Sequence, residues 1–406
     1  MNVEKCKGMR DLFPPDMEKF RLINQIFHDS CSNWGYKEVR TPTLEYLHLF
    51  TSAGMLTPGM LNKVYSFLDW DGWSGERVVL RPDATIPVAR LYIESLADKE
   101  LSKLFYIVNT FIFEETGKKN REKWQAGAEL IGMGSPLADV ELIILAIEVL
   151  RRLGIENVEL RLSHAGLTRG VLQKLGMNPE EQTRVFDRLL DGDATVLAQI
   201  KAEKPELEPL LALQGKSAGF IRNLASSLAL DLPEFKPQID DFVFIAGTLK
   251  SLGYDFQIDM ASVRGFEYYT GVIFQLFVDD DKVGGGGRYD ALIPAMGGQN
   301  APASGFALYV DLLMQLVQAE VTKPAPATVI EVKMEEGAYP LGFGIADRLR
   351  EVGLIVKLHL GGKGPAGVDW KLDIHKRRPN FALTDVLKGK KYELNTSEEV
   401  LEKLER

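Results

Sequence analysis

The stretch FIFEETGKKNREKWQAGAELIG, Phe111 to Gly132, admits few conformations. Phe111 and Phe113 lie two apart before a basic loop, flanked by Thr110 and Glu114, and Trp124, Ala126, Ala128 and Leu130 alternate with Gln125, Gly127 and Glu129 after it. A period of two on both arms predicts a half-buried β-hairpin with Gln125, Gly127 and Glu129 on one face of the return strand. That face is a poor core stripe. It is either a polar pocket floor, with the glycine leaving room for a ligand, or a solvated surface.

Helical and strand patterns surround this hairpin. Phe20, Ile23, Phe27, Cys31 and Trp34 recur at helical spacing after Pro14-Pro15, with Gly35 as the stop. GYKEVRTPTLE then reads as an extended edge segment, since Pro42 cannot donate to a central ladder. RVVLRPDATIPVARL reads as strand, turn and helix start, and Ser135 to Gly154 as a helix with Ser135 as cap and Pro136 in its first turn. VELRLSH alternates as a strand. From about Leu167 to Leu252 the chain becomes charged, leucine-rich and helical in period, which predicts a helical insertion. FQIDM and YYTGVIFQLFV return to strand pattern, GGGGRYD reads as flexible, and a helix is expected from Gly305 to Gln318. TKPAPA, Thr322 to Ala327, has linker composition. TVIEVKM, GIADRLREVG and LIVKLHL beyond it suggest a small α/β domain, so the expected division is a core at 1–322 and a second domain at 323–406.

Composition excludes several classes. An apolar content of 45% over 406 residues suits a globular protein, and a net charge of −9 opposes broad contact with a polyanion. Cys6 and Cys31 are too few for a disulfide framework, which suits a reducing cytoplasm. Charges interrupt the apolar runs near both ends, so neither a signal peptide nor a membrane span is expected. The five histidines show no metal-binding spacing, and the clusters at Lys376–Arg378 and Lys388–Lys391 read as solvated charge or a basic interaction patch.

Four motifs carry candidate chemistry. In RPDAT, Asp83 and Thr85 either orient a ligand ammonium group or cap the following helix. Gln125 and Glu129 share the polar hairpin face. In VRGFEYYTG, Arg264 suits a carboxylate and Tyr268 and Tyr269 suit ring nitrogens, although paired tyrosines are also ordinary strand residues. GGGGRYD lacks the GKS or GKT ending of a phosphate loop.

Taken in order, GMRDLFPPD, GYKEVRTPTLE, RPDAT, WQAGAELIG, VRGFEYYTG, GGGGRYD and SGFALYVDLL resemble the catalytic core of histidyl-tRNA synthetase, over most of residues 1 to 320. The resemblance implies a class II aminoacyl-tRNA synthetase-like α+β fold, an antiparallel sheet flanked by helices, with self-dimerisation through GYKEVRTP. It implies a histidine pocket in which Asp83 and Thr85 lie near the amino group, Gln125 and Glu129 face the ligand, and Arg264, Tyr268 and Tyr269 form the histidine-specific segment.

On the nucleotide side the chain departs from that family. The family's F-R-x-E string is matched by Phe111, Ile112, Phe113 and Glu114, a second hairpin arginine by Glu115, and the closing Glu-Arg of its third motif by Asp311 and Leu312. Losing one preorganised donor costs about 10²–10³ in rate, and two independent losses on the order of 10⁴–10⁶. Only the YPLGFGIADRLREVGLIVKLHL part of the second domain is similar to the family's anticodon-binding domain, so tRNA is not an expected partner. A pocket for histidine without a phosphate clamp resembles the regulatory subunit of ATP phosphoribosyltransferase. The resemblance implies a non-catalytic chain without cofactor or metal, L-histidine as effector and a short catalytic subunit as partner. A divergent active synthetase and a free-standing histidine sensor are the alternatives.

Overall fold

The computed structural model describes residues 3–56, 61–69, 75–112, 120–174, 176–178, 181, 214–215, 233–259, 268–318, 328–360 and 364–404. The TKPAPA segment, most of the expected helical insertion, Phe113–Lys119 and Arg264 lie outside them. Contacts divide the chain into Met1–Thr322 and Lys323–Arg406.

The first unit is organised by a nine-stranded sheet. Its strands are β1 (Lys37–Glu38), β5 (Ser102–Phe111), β6 (Glu122–Ile131), β7 (Val158–His164), β8 (Gln214–Gly215), β9 (Gln257–Asp259), β10 (Val272–Val278), β11 (Asp281–Arg288) and β12 (Ala303–Tyr309), in the order β1-β5-β6-β12-β11-β10-β7-β9-β8. The run from β5 to β7 is antiparallel throughout, and β1 and β9 join parallel to their neighbours. The hairpin is β5 and β6, and GYKEVRTP supplies the edge strand β1.

Alternation along β6 separates two cores. Ala126, Ala128 and Leu130 join one with α1 (Pro14–Asn33), α4 (Pro136–Arg152) and α6 (Lys236–Ser251). α1 buries Phe20, Ile23, Phe27 and Cys31, and Gly35 beyond it has φ +81°. At α4 the Ser135 hydroxyl accepts from Leu137 N, Pro136 opens the helix, and Gly154 follows it at φ +77°. Ile239, Phe242, Ile245 and Leu249 of α6 lie in this same core, so the last part of the segment expected as an insertion is a structural layer of the core. α5 (Ala165–Lys174) precedes it.

The other face carries Ile131, Ala303 and Tyr289 into a second core. It is completed by α2 (Leu47–Ser52), α3 (Thr85–Ser95), α7 (Leu292–Ala295) and a three-stranded sheet ordered β2 (Leu44–Tyr46), β4 (Arg77–Leu80), β3 (Ser66–Leu68).

Two expectations are corrected here. GGGGRYD is not a flexible loop: Gly284–Gly287 lie in β11, paired with β10 on one side and β12 on the other. A Cβ at Gly286 would stand 2.1 Å from the Gly305 carbonyl oxygen, so the glycines permit close backbone approach inside the sheet. The segment from Gly305 is also strand before helix, since Ala303–Tyr309 forms β12 and α8 (Val310–Leu316) follows. A buried central strand is apolar on both faces, and periodicity alone does not separate such a run from a helix.

The second unit is a sheet in the order β14-β13-β15-β16-β17, from β13 (Val329–Met334), β14 (Ile355–Leu358), β15 (Trp370–Ile374), β16 (Phe381–Asp385) and β17 (Lys391–Leu394). β13 is parallel to both neighbours, and α9 (Tyr339–Glu351) and α10 (Ser397–Leu404) pack on this sheet through Ile345, Leu349 and Val400. The basic cluster Lys376–Arg378 lines a cavity of about 1140 Å³ together with Glu335, Glu336 and Glu393, so its lining carries both signs of charge.

Gly286→Ala should lower stability by about 1–3 kcal/mol, the usual cost of overpacking, read as a lower urea midpoint. An unchanged midpoint would contradict the close approach of β11 and β12.

Candidate ligand site

Glu129 rises from β6 on the side of the second core and is 1% exposed. Gly305 faces it in register on β12, and a Cβ there would lie 1.6 Å from Glu129 Oε2. The carboxylate therefore occupies space that any other residue at 305 would fill. Thr85 Oγ1 donates to its Oε1 at 2.8 Å, Tyr106 Oη to the same oxygen at 3.0 Å, and Tyr289 Oη donates to Oε2. Burial pushes the carboxyl up to about 8, against these hydroxyl donors and with the Asp83 charge adding to the rise.

Gly127 also has a different role from the one expected. A Cβ there would meet the Tyr106 ring carbon Cζ at 2.4 Å, so the space is filled by the phenol of the residue paired with it on β5 rather than kept for a ligand.

Asp83 and Thr85 divide the work at the start of α3. Asp83 Oδ1 accepts from Ile86 N at 2.9 Å, and the carboxylate also accepts from the backbone of Ala84 and Thr85 and from the Tyr268 hydroxyl. It is thus a helix cap whose carboxylate also faces the site. Burial raises it to about 6, and the backbone N–H groups limit the rise. Thr85 makes no cap, because its hydroxyl is committed to Glu129.

Tyr268 and Tyr269 are half-buried against the second core. Tyr268 stands edge-on to Tyr289, with ring centroids 5.6 Å apart, and 5.0 Å from Tyr269. Arg169 Nη1 donates to the Tyr269 carbonyl at 2.8 Å. Burial keeps these phenols protonated, so they serve as hydrogen-bond donors. Gln125 lies two positions before Gly127 on the same face of β6, and its Oε1 is buried without a hydrogen-bond partner. It is an acceptor that a ligand N–H could satisfy.

Asp83, Thr85, Glu129 and Tyr268 therefore belong to one bonded cluster, with Tyr269 packed beside it. Tyr106 and Tyr289 were not among the expected site residues. Tyr289 carried a signal, since it follows the glycine run, whereas Tyr106 stands out only once the register pairs it with Gly127.

The region matched to the family's phosphate side is differently furnished. Ile112 and Leu312 offer no cation. Arg10 pairs with the Asp311 carboxylate, whose second oxygen accepts from Trp124 N at 2.6 Å. Arg81, 2% exposed, gives its guanidinium to the Thr41, Pro42 and Asn109 carbonyls and to the Thr41 and Asn109 side chains. Away from that region, Arg288 at the end of β11 is bound twice by Asp139 Oδ2 of α4, at 2.8 and 3.1 Å. Arg121 Nη1 donates to Tyr65 Oη at 3.3 Å, and its backbone N donates to the Gly8 carbonyl at 2.7 Å.

Among the described residues no group of three His, Cys, Asp or Glu is placed to hold a metal ion. His164 is buried and depressed to about 3 by desolvation, and its Nδ1 accepts from Leu167 N at 3.2 Å, which makes it a neutral structural residue. No helix among the described residues is long and apolar enough to cross a membrane.

Gly305→Ala should evict Glu129 and lower stability by about 1–3 kcal/mol, and the added Glu129→Ala change should recover part of that loss. Strict additivity in urea denaturation would mean that the two positions do not share space.

Comparison with known proteins accords with this architecture. The histidyl-tRNA synthetase family model matches residues 8–313. An ATP phosphoribosyltransferase regulatory subunit of Dehalococcoides mccartyi is 50% identical over 403 residues, covering 98% of each chain. A histidine–tRNA ligase of Archaeoglobus fulgidus is 32% identical over 383 residues, covering 89% of this chain and 87% of its own. A Bacillus halodurans crystal structure, described as an ATP phosphoribosyltransferase regulatory subunit/histidyl-tRNA synthetase, superimposes with a TM-score of 0.74 at 28% identity, covering 88% of this chain and 93% of that one. With its synthetase-like sheet and near full-length similarity to such subunits, the chain belongs to the family of ATP phosphoribosyltransferase regulatory subunits, paralogues of histidyl-tRNA synthetase.

Proposed function

We propose that this chain is the regulatory subunit of ATP phosphoribosyltransferase: it partners a short catalytic subunit in the first step of histidine biosynthesis, supports its activity and binds L-histidine as a feedback effector. The observation that carries the ligand reading is the contrast between two neighbouring regions. One holds a buried carboxylate, a second acid and a wall of phenols suited to an ammonium and an imidazole, while Arg10 and Arg81 of the other are engaged by protein groups. The names of the similar proteins support the partner.

On this reading the chain has no catalytic residues of its own and requires no cofactor. Asp83, Thr85, Gln125, Glu129, Arg264, Tyr268 and Tyr269 form the histidine site. The chain pairs with a second copy through the edge at β1, the second domain is a reduced form of an anticodon-binding domain, and the assembly works in the cytoplasm without tRNA. Feedback follows if histidine prefers an inactive arrangement of the assembly, and its strength cannot exceed that preference.

Histidine should bind the isolated chain by calorimetry, with Glu129→Ala or Tyr268→Phe weakening it by about 1–3 kcal/mol through unpaired polar groups. Unchanged affinity in both variants would overturn the site. The chain should show no histidine-dependent pyrophosphate exchange, and Ile112→Arg alone should not create it, because Leu312 and Glu115 remain. Robust exchange by the unaltered chain would make it a synthetase. Co-purification with a short ATP phosphoribosyltransferase from the same genome tests the partner, and no complex at micromolar concentration would favour a free-standing sensor.

A further inference from the structure

Among the described residues the pocket floor is short of positive charge, and Arg264, which lies outside them, is assigned to the ligand's carboxylate. Asp83 faces Glu129 from the start of α3, Tyr106 from β5 and Tyr289 from the end of β11, with Tyr268 and Tyr269 beside them and the Tyr36 phenol within electrostatic reach. β12 contributes Gly305 opposite Glu129, and its Tyr309 lies within electrostatic reach of Tyr269. Among the described residues no Lys, Arg or His forms an ion pair with Glu129 or Asp83. Arg10 and Arg288 are paired with Asp311 and Asp139, and Arg169 donates to the Tyr269 carbonyl.

An ionised carboxylate buried among neutral groups and a second acid is costly, whereas hydroxyls are content with either form because each can donate or accept. We propose that Glu129 holds a proton while the pocket is empty and releases it to solvent when a ligand's ammonium group binds beside it. The pocket thereby selects a cationic amine, and effector binding is coupled to pH. In the exchange the carboxylic O–H bond breaks, the proton passes to buffer, and the cation compensates the carboxylate. Thr85, Tyr106 and Tyr289 are positioning residues that stay bonded to Glu129 in both states. The inference rests on the histidine reading for the ligand's identity but not for the proton.

The elevated carboxyl, at about 8, agrees with a proton held at neutral pH. The sign follows from linkage: a bound cation favours the ionised acid, so affinity rises with pH while binding must expel a proton, by up to about tenfold per pH unit, and levels off above about 8.

Two experiments test this on the full chain. In an infrared pH titration of the unliganded protein, the difference between unaltered chain and Glu129→Gln should show one protonated-carboxyl band that disappears near pH 8. Calorimetric titration of L-histidine near neutral pH, in buffers of different ionisation enthalpy, should show release approaching one proton per site and affinity rising roughly tenfold over one pH unit. Tyr289→Phe removes a donor to the carboxylate and should move both transitions to higher pH, which a merely structural role would not do. Absence of the carboxyl band overturns the proposal and leaves the histidine site standing. Buffer-independent heats overturn the release step, since a neutral imidazole would then have taken the proton directly. A band without histidine binding at any pH overturns the histidine reading and the coupling, and leaves the proton on Glu129.

Discussion

The burial of Glu129 sets the terms for the elements around it. A carboxyl 1% exposed between two strands requires a glycine opposite, hydroxyls within reach and a partner for whatever charge it carries. Gly305 meets the first need from β12, while Thr85, Tyr106 and Tyr289 meet the second from α3, β5 and the end of β11. Four parts of the chain, distant in sequence, are thus pinned by one side chain. The glycine-rich β11 completes this arrangement, because its backbone must pass close to β10 and β12 to bring Tyr289 over the floor.

A similar economy holds around the edges of the core. Arg81, Arg288 and Arg10 are each bound by protein acceptors, and the first two are well buried. Removing one partner of such a buried pair leaves an uncompensated charge and costs about 3–5 kcal/mol. These arginines brace the fold: Arg81 joins the segment at Thr41–Pro42 to Asn109 on β5, and Arg288 joins the end of β11 to α4 through Asp139. At these points the synthetase-like sheet is braced by protein groups alone.

Much of this was legible in the sequence where a single periodicity dominates. The hairpin, α1, α4 and the first two strands of the second unit follow from alternation or helical spacing with clear stops. β11 and β12 were not, because a strand buried on both faces carries no alternation and a glycine run reads as a loop until its neighbours are known. In the site, polar residue types identified Asp83, Thr85, Gln125 and Glu129, yet not what they do to one another. Asp83 both caps α3 and bonds the Tyr268 hydroxyl, and Gly127 yields its space to Tyr106. Tyr106 itself sits in an apolar strand, where a phenol is ordinary until the register sets it opposite a glycine.

The central claim is that the chain retains an amino-acid pocket and has lost the means to activate what the pocket holds. The most direct test is a crystal structure grown with L-histidine, ATP and magnesium together. The account predicts intact histidine against Glu129 and Tyr268, with no ordered triphosphate beside it. Histidyl-adenylate in that position, or a triphosphate gripped by arginines, would contradict it.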